Sequence, residues 1–416
     1  LLRCHCHNRA CTTTLTVAHC FQIFRNLPAR HQLHSQARRQ LGSQLDSLLP
    51  FVPTLVWHAL SGPAVLREIV LPAARRSPAF CSSAYFYARA HPNLRHIKSC
   101  LFDEASLAQR RELAASEFFL TALLALLAPG MTTNARRAAL DRHVLDPRPF
   151  VPGSVRYRVL RLDTESVKQL QSYTKPWVVT CHLLDVGTQT TEERVLMIKN
   201  EAVFKDDAVQ RMQRYLLQRD PTLALTPYLV TAIAPTRGLI LFLSNCASLA
   251  RIQKEEGSIS GYLMSQNQTK TVGEVQRAFM RSCAASAVLS LLCAFGDRHL
   301  NNILIKEDRL VHVDFSYLFG EEPVLSTHRL GMPTQSIRLT KGMLDVFRNR
   351  HYGTFLELCA RINRLVRGVA PDLFYIAQAL VSVNSSTREQ LETHFNHYML
   401  PATITNNSEA DRFIIN

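Results

Sequence analysis

Between residues 40 and 146, apolar side chains recur at intervals of three and four, the repeat of helices with one buried face. LDSLLPFVPTLVWHAL, AVLREIVLPAARRS, AFCSSAYFYARAH and SLAQRRELAASEFFLTALLALLA all carry it. Pro63, Pro78, Pro92 and the Pro129-Gly130 pair punctuate these runs, because proline lacks an amide donor and suits only the first turn of a helix. Short helices with short connections predict a stacked helical array, although no exact repeat recurs. DPRPFVPGS (146–154) then breaks the pattern with three prolines and a glycine, which marks a boundary. Beyond it, SVRYRVLRL, WVVTCHLLDV, ERVLMIKN, YLVTAIAP and GLILFLSN have strand length and abundant Val, Ile, Leu and Thr, and one helical pattern, DDAVQRMQRYLLQRD, interrupts them. From residue 245 the helical period returns. VGEVQRAFMRSCAASAVLSLLCAF is apolar nearly all round, as a core helix is. NILIK and RLVHVDF flank a polar Glu-Asp turn and predict a hairpin, and the tail (TREQLETHFNHYML, SEADRFIIN) reads as amphipathic helix. The fold class is α+β: a helical array, a small sheet lobe and a second helical lobe.

Composition changes this picture little. The 416 residues are 47% hydrophobic and 19% charged, the proportions of globular domains. The net charge of +15 favours phosphate-bearing or anionic-membrane partners. It lacks the basic stripe with interleaved aromatics of a nucleic-acid surface, so no nucleic acid is expected. No apolar run reaches the ~20 residues of a membrane-spanning helix; FFLTALLALLAP and CAASAVLSLLCAF read as buried helices. Eleven scattered cysteines indicate free thiols. CHCHNRAC, with Cys4, Cys6, Cys11, His5 and His7, fits no common zinc spacing and reads as a leader.

One stretch concentrates chemistry. In LLCAFGDRHLNNILIKEDRLVHVDFSYLFG (291–320), Asp297, Arg298, His299, Asn302 and Asp314 crowd around the hairpin. Phosphoryl transfer needs a cation on the phosphates, hard oxygens for Mg²⁺ and a group that takes or orients the attacking hydroxyl. Lys199 ends the strand RVLMIK and suits the first role. Asn302 begins one hairpin strand and Asp314 ends the other. Neighbouring strands lie about 5 Å apart, so this pair can share a divalent ion. Asp297 or His299, just before, would meet the hydroxyl proton. Singly, each residue reads as a turn aspartate, a solvated lysine or a structural histidine; the order Lys, then D-R-H-x-x-N, then D-F is what points to a site.

That order resembles the phosphatidylinositol 3-/4-kinase superfamily. Its catalytic loop, G-D-R-H-x-x-N, stands here as GDRHLNN, its metal motif D-F-G as VHVDFS, and the helix FMRSCAASAVLSLLCAFGDRH is similar to the one preceding its loop. The resemblance covers roughly 45–416. It implies a two-lobed, protein-kinase-like catalytic domain after an all-α helical-repeat domain: an unassigned segment 1–40, an accessory helical domain 41–146, an N-lobe 147–244 and a C-lobe 245–416. It implies ATP and Mg²⁺ (or Mn²⁺) as cofactors, with Lys199 catalytic beside Asp297 and His299, and Asn302 and Asp314 on the metal. Ser172, Lys175, Lys199, Asp207 and the Leu243 backbone would bind nucleotide. LTPYLVTAIAPTRGLILFLSNCASLARI, DFSYLFGEEP and the ETHF…SEADRFI ending look most like class III, which implies phosphatidylinositol as substrate and the 3-hydroxyl as acceptor. The segment from Asp314 to about Thr340 contains Glu321 and Glu322 and few cations (His328, Arg329, Arg338), which suits an unphosphorylated headgroup. LQSYTKPWVV and IRLTKGMLDVF look equally like 4-kinases. The resemblance further implies a regulatory protein-kinase-like subunit, a coiled-coil partner and a cytoplasmic protein, peripheral on endosomal or other intracellular membranes, in membrane trafficking and autophagy. The family's C2 domain does not fit within residues 1–40, so the chain is expected to be a fragment or a shortened form.

Three departures leave open an inactive, kinase-like scaffold. Where the family reads K-x-x-D-D-x-R-Q-D, this chain has KNEAVFKDD (199–207), with Ala202 and Val203 for two acids and Lys205 and Asp206 for Arg and Gln; Glu201 or Asp207 is expected to position the lysine. Ser316 replaces the glycine of D-F-G and lacks its freedom at positive φ. Tyr173 and Trp177 are bulky for a phosphate loop.

Overall fold

The computed structural model describes residues 16–26, 32–141, 148–172, 174–321, 339–347, 351–381 and 385–399. The Cys/His-rich leader, Tyr173, most of the acidic 314–340 segment (Glu322, His328, Arg329 and Arg338 included) and SEADRFIIN lie outside them. The chain divides into two compact units: 1–202 with 231–239, and 203–230 with 240–416.

The first unit opens with α1 (Val17–Asn26) and α2 (Gln32–Gly42), helices the hydrophobic pattern did not assign. α1 buries Cys20, Phe21 and Ile23 and packs on α2. The predicted array follows as α3 (Val52–Ser61), α4 (Pro63–Val65), α5 (Leu71–Arg76), α6 (Pro78–Ala90), α7 (Arg95–Glu104), α8 (Leu107–Leu124) and α9 (Thr133–Asp141). Pro63 and Pro78 occupy first turns. Ser106 and Gln109 close a reciprocal capping box on α8, satisfying amides that the helix start leaves unpaired. α8 is buried on one face only: Phe119 is fully covered while Phe118 is 54% exposed.

Beyond α9 runs a five-stranded sheet in the order β1-β2-β3-β5-β4: β1 (Tyr157–Gln169), β2 (Trp177–Asp185), β3 (Thr190–Lys199), β4 (Leu229–Ala234) and β5 (Arg237–Leu241). The β2–β3 register is unbroken, whereas β1 slips twice against β2; such bulges bend and twist a strand. The Pro-rich stretch before β1 is bonded on both sides. Phe150 O accepts from Ser116 Oγ of α8 (3.0 Å), Pro152 O from Thr231 Oγ1 of β4 (2.8 Å). Gly153, at φ +79°, passes so close to Thr231 that a Cβ would lie 2.7 Å from its hydroxyl. The boundary in composition is therefore a seam, and helices and sheet cluster as one unit. Arg136 of α9 adds a second seam: it donates to the carbonyls of Leu126 (2.7 Å), Ala128 (2.6 Å) and Met131 and lies 4.5 Å over the Trp177 ring. Trp177 is thus a packed residue at the start of β2, not a side chain in the loop.

His91 follows α6, buried against Tyr87 and Trp57. Burial holds its imidazole down to about 4, against about 6.5 in an unfolded chain. The unfolded state therefore takes up the proton first as pH falls, and stability is lost between about pH 6.5 and pH 4. Each unit of the depression is worth about 1.4 kcal/mol, so urea titrations should show a loss of about 2 kcal/mol or more from this group on going from neutral to about pH 4.5, and His91→Gln should flatten that dependence.

The second unit holds α10 (Phe204–Arg219), then β6 (Cys246–Ser248), α11 (Leu249–Glu255), α12 (Ile259–Gln266), α13 (Val272–Leu292), β7 (Ile303–Lys306), β8 (Arg309–His312), α14 (Lys341–Phe347), α15 (Tyr352–Gly368), α16 (Ala370–Val381) and α17 (Ser385–His394). α13 is the expected core helix, buried almost continuously from Ser282 to Leu292 and packed by α14, α15 and β8. β7 and β8 form the predicted hairpin, joined through Glu307 at φ +54°. β6 adds a third strand, pairing Cys246–Ser248 with Leu304–Lys306; three residues are too few to register as a strand in the sequence. Tyr215 of α10 donates its hydroxyl to Asp372 of α16, anchoring α10 in this unit.

Candidate active site

The hairpin register brings two site residues together. Ile303 pairs with His312, and the Val313 amide donates to the Asn302 carbonyl at 3.1 Å, so Asn302 stands across from Val313 with Asp314 next along. The Asn302 amide nitrogen donates to Asp297 O at 3.0 Å, which turns its side-chain oxygen the other way. Asp314 lies at φ +61° and accepts from Ser316 Oγ at 2.8 Å. Ser316 itself does not take a positive φ; the departure from glycine costs no strain at that residue, and the segment turns instead at Phe319 (φ +54°) and Gly320 (φ +89°).

The loop before the hairpin is tied to the segment after it. Gly296 N donates to Tyr317 O (3.0 Å) and Phe319 N to Cys293 O (2.9 Å). Asp297, half-buried, sits at φ +52°, a strained setting for a residue with a side chain. His299 is exposed, and its carbonyl accepts the Asn302 amide at 2.9 Å. Arg298 holds the arrangement. It is 7% exposed and donates to Gly296 O (2.7 Å), Val313 O (2.8 Å) and Asp314 O, with its guanidinium 5.3 Å over Phe315. Burial lowers its pKa, which the charges of Asp314 and Asp297 oppose. Sequence reasoning saw Arg298 only as part of a motif and gave it no role.

α10 and its neighbours add residues that sequence reasoning also missed. Asp206, 2% exposed, accepts the Phe315 amide at 3.2 Å. Tyr228 is buried, its hydroxyl pushed well above the usual range by burial and then by Asp206 and Asp314. Tyr228, Phe242, Leu243, Leu304 and Val313 line a small apolar recess, so Leu243 faces the hairpin positions adjoining Asn302 and Asp314. Asp207 makes a two-oxygen contact with Arg211, both at 3.0 Å.

The remaining site residues belong to the first unit. Lys199 ends β3, 6% exposed, and its Nζ lies 2.7 Å from Glu201 Oε1. Of the two acids expected to position it, Glu201 therefore makes the contact. Ser172 and Lys175 are exposed on the β1–β2 loop; the Lys175 amide donates to Ser172 O (3.2 Å), and Lys175 has φ +43°.

Among the described residues no group of three or more His, Cys, Asp or Glu is placed to hold a metal. Asp314 and Asn302 instead offer a carboxylate and a freed amide oxygen. That donor set suits Mg²⁺ or Mn²⁺, which take few protein oxygens and complete their shell with phosphates and water. No helix among the described residues is long and apolar enough to cross a membrane.

Residues 195–380 match the family model described as phosphatidylinositol 3- and 4-kinase. That stretch is similar to the kinase domains of this family. The chain is similar to phosphatidylinositol 3-kinase VPS34 of Saccharomyces cerevisiae, 30% identical over 249 residues, 55% of this chain and 27% of the relative. VPS34 of Arabidopsis thaliana is 28% identical over 200 residues, 45% of this chain and 24% of the relative. Phosphatidylinositol 3-kinase pik3 of Schizosaccharomyces pombe is 28% identical over 168 residues, 37% and 21%. The chain thus spans about a quarter of the length of these relatives.

Proposed function

We propose that this protein is an ATP-dependent phosphatidylinositol kinase that phosphorylates the 3-hydroxyl of the inositol ring. The observation that carries the reading is the hairpin register that sets Asn302 beside Asp314, one loop after Asp297, in a domain of the matching family. The names of the similar proteins, all 3-kinases, support the 3- over the 4-hydroxyl. We assign 41–146 as the accessory helical domain, 147–244 as the N-lobe and 245–416 as the C-lobe, with segment 1–40 left unassigned.

The roles follow from the chemistry of each group. Lys199, held by Glu201, neutralises phosphate charge, and Ser172, Lys175 and the amides of the β1–β2 loop cap the phosphates. The adenine edge meets the Leu243 backbone, with Asp207 ordering the start of α10. Asn302 and Asp314 would hold Mg²⁺ or Mn²⁺, which supplies charge opposite the phosphoryl oxygens when bound. Asp297 accepts or orients the inositol hydroxyl proton and His299 assists. The product stays in a membrane, so the protein works as a peripheral enzyme at an intracellular surface, with a regulatory protein-kinase-like subunit and a coiled-coil protein as partners.

The test is turnover of ATP with phosphatidylinositol vesicles and Mg²⁺ or Mn²⁺, with the position of the new phosphate resolved. A 3-phosphate bears the reading out, and a 4-phosphate moves it to the 4-kinases. ATP binding without turnover by folded protein makes the chain a scaffold. Within this assay Glu201→Ala should lower kcat/KM for ATP on the order of tenfold, mainly through KM, because the lysine loses the carboxylate that orients it.

A further inference from the structure

The first turn of α10 grips the chain that leaves Asp314. Asp206 accepts the Phe315 amide on the buried side. Lys205, one residue earlier and about 100° around the helix, donates to the Ser316 carbonyl at 3.0 Å and pairs with Glu321. The segment's backbone also bonds to the loop before the hairpin, through Tyr317 and Phe319, and the Phe319 ring packs against His394 and Phe395. Between these two sets of bonds stands Ser316, whose hydroxyl donates to Asp314 Oδ1. A physical chain therefore runs from the Lys205 ammonium, through the Ser316 backbone and hydroxyl, to one oxygen of Asp314. Lys205, Asp206 and Ser316 are also three of the positions where this chain departs from its family's pattern.

We propose that Lys205 and Asp206 are positioning residues that clamp segment 315–321 and, through Ser316, set the orientation of the Asp314 carboxylate. The inference rests on the lipid-kinase reading above. In this chain the hydroxyl at position 316 does what a glycine cannot, since glycine has no side chain to donate to the carboxylate; the clamp keeps that hydroxyl in place. A rotated Asp314 would still be present but misaligned, and misplacement of about 1 Å can cost on the order of a hundredfold in rate.

The experiment is a double-mutant cycle on the full chain, assayed with phosphatidylinositol vesicles, ATP and Mg²⁺. Lys205→Met should lower kcat about tenfold or more while KM for ATP changes less than about threefold, the split expected of misalignment. Lys205→Arg, which keeps the charge and donors, should retain most activity. In a Ser316→Ala background, Lys205→Met should cost less than about threefold, because residues acting through a common link are not additive. Asp206→Asn keeps an acceptor and should outperform Asp206→Leu. Hydrogen exchange of the 315–321 amides, read by mass spectrometry on the same proteins, should accelerate in Lys205→Met. An equal cost of Lys205→Met in both backgrounds overturns the proposal, as does a cost below about twofold together with unchanged exchange. If the unaltered chain turns nothing over, the lipid-kinase reading fails and so does the catalytic consequence proposed here; exchange then reports only whether the clamp exists.

Discussion

Asp314→Asn leaves the protein folded and removes its turnover. Asparagine has the shape of aspartate and accepts positive φ readily, so the +61° backbone at this position is kept and the Ser316 hydroxyl still finds an oxygen. The change is one of charge alone. The expected loss is on the order of a thousandfold in kcat, the scale seen when a preorganised charge or donor is taken from a phosphoryl or acyl transfer site, with a shift in unfolding free energy below about 0.5 kcal/mol. Initial rates on phosphatidylinositol vesicles beside urea unfolding curves separate the two quantities. Retention of more than about a tenth of the wild-type rate would remove Asp314 from the proposed machinery.

Arg298→Met has its largest effect on stability. The guanidinium is buried and serves three carbonyls, those of Gly296, Val313 and Asp314. Methionine fills much of the volume but donates nothing, so polar groups around it lose their partner; such losses cost about 1–3 kcal/mol per group. A destabilisation above about 3 kcal/mol is expected in chemical denaturation. Arg298→Lys should recover little, because one ammonium cannot reproduce a planar fork that reaches three acceptors. Near wild-type stability in Arg298→Met would mean that the contacts through Tyr317 and Phe319 alone hold the loop.

The elements that could be read from the sequence were those whose burial is periodic and whose ends are chemically marked. The hairpin of β7 and β8, the core helix α13 and the strand ending at Lys199 all show this. Asn302 and Asp314 were legible as a pair because pairing in a two-stranded hairpin follows from its turn. β6 was not, since its three residues are held by β7 rather than by any pattern of their own. α1 and α2 escaped for another reason: α2 has few apolar positions, and α1 is buried by residues far along the chain, Phe21 packing on Phe51 and His58. Glu201 and Asp207 stood as equal partners for Lys199, because sequence spacing ranks neither; the geometry gives Lys199 a contact with Glu201 and Asp207 a contact with Arg211. Asp206 was read as a loss, a glutamine position gone astray. Its link to Phe315 spans over a hundred residues of chain and leaves no local trace.

Two aspartates of the site, Asp297 and Asp314, occupy left-handed backbone. Glycine would be more at ease at either place, and each relaxation is worth on the order of 1 kcal/mol. A chain that needed only to fold would therefore gain by giving up both carboxylates, and random drift toward stability would run in that direction. Loss of chemistry in a protein of this architecture is downhill in free energy; keeping the two acids means remaining, at two positions, in a fold slightly less stable than the one within reach.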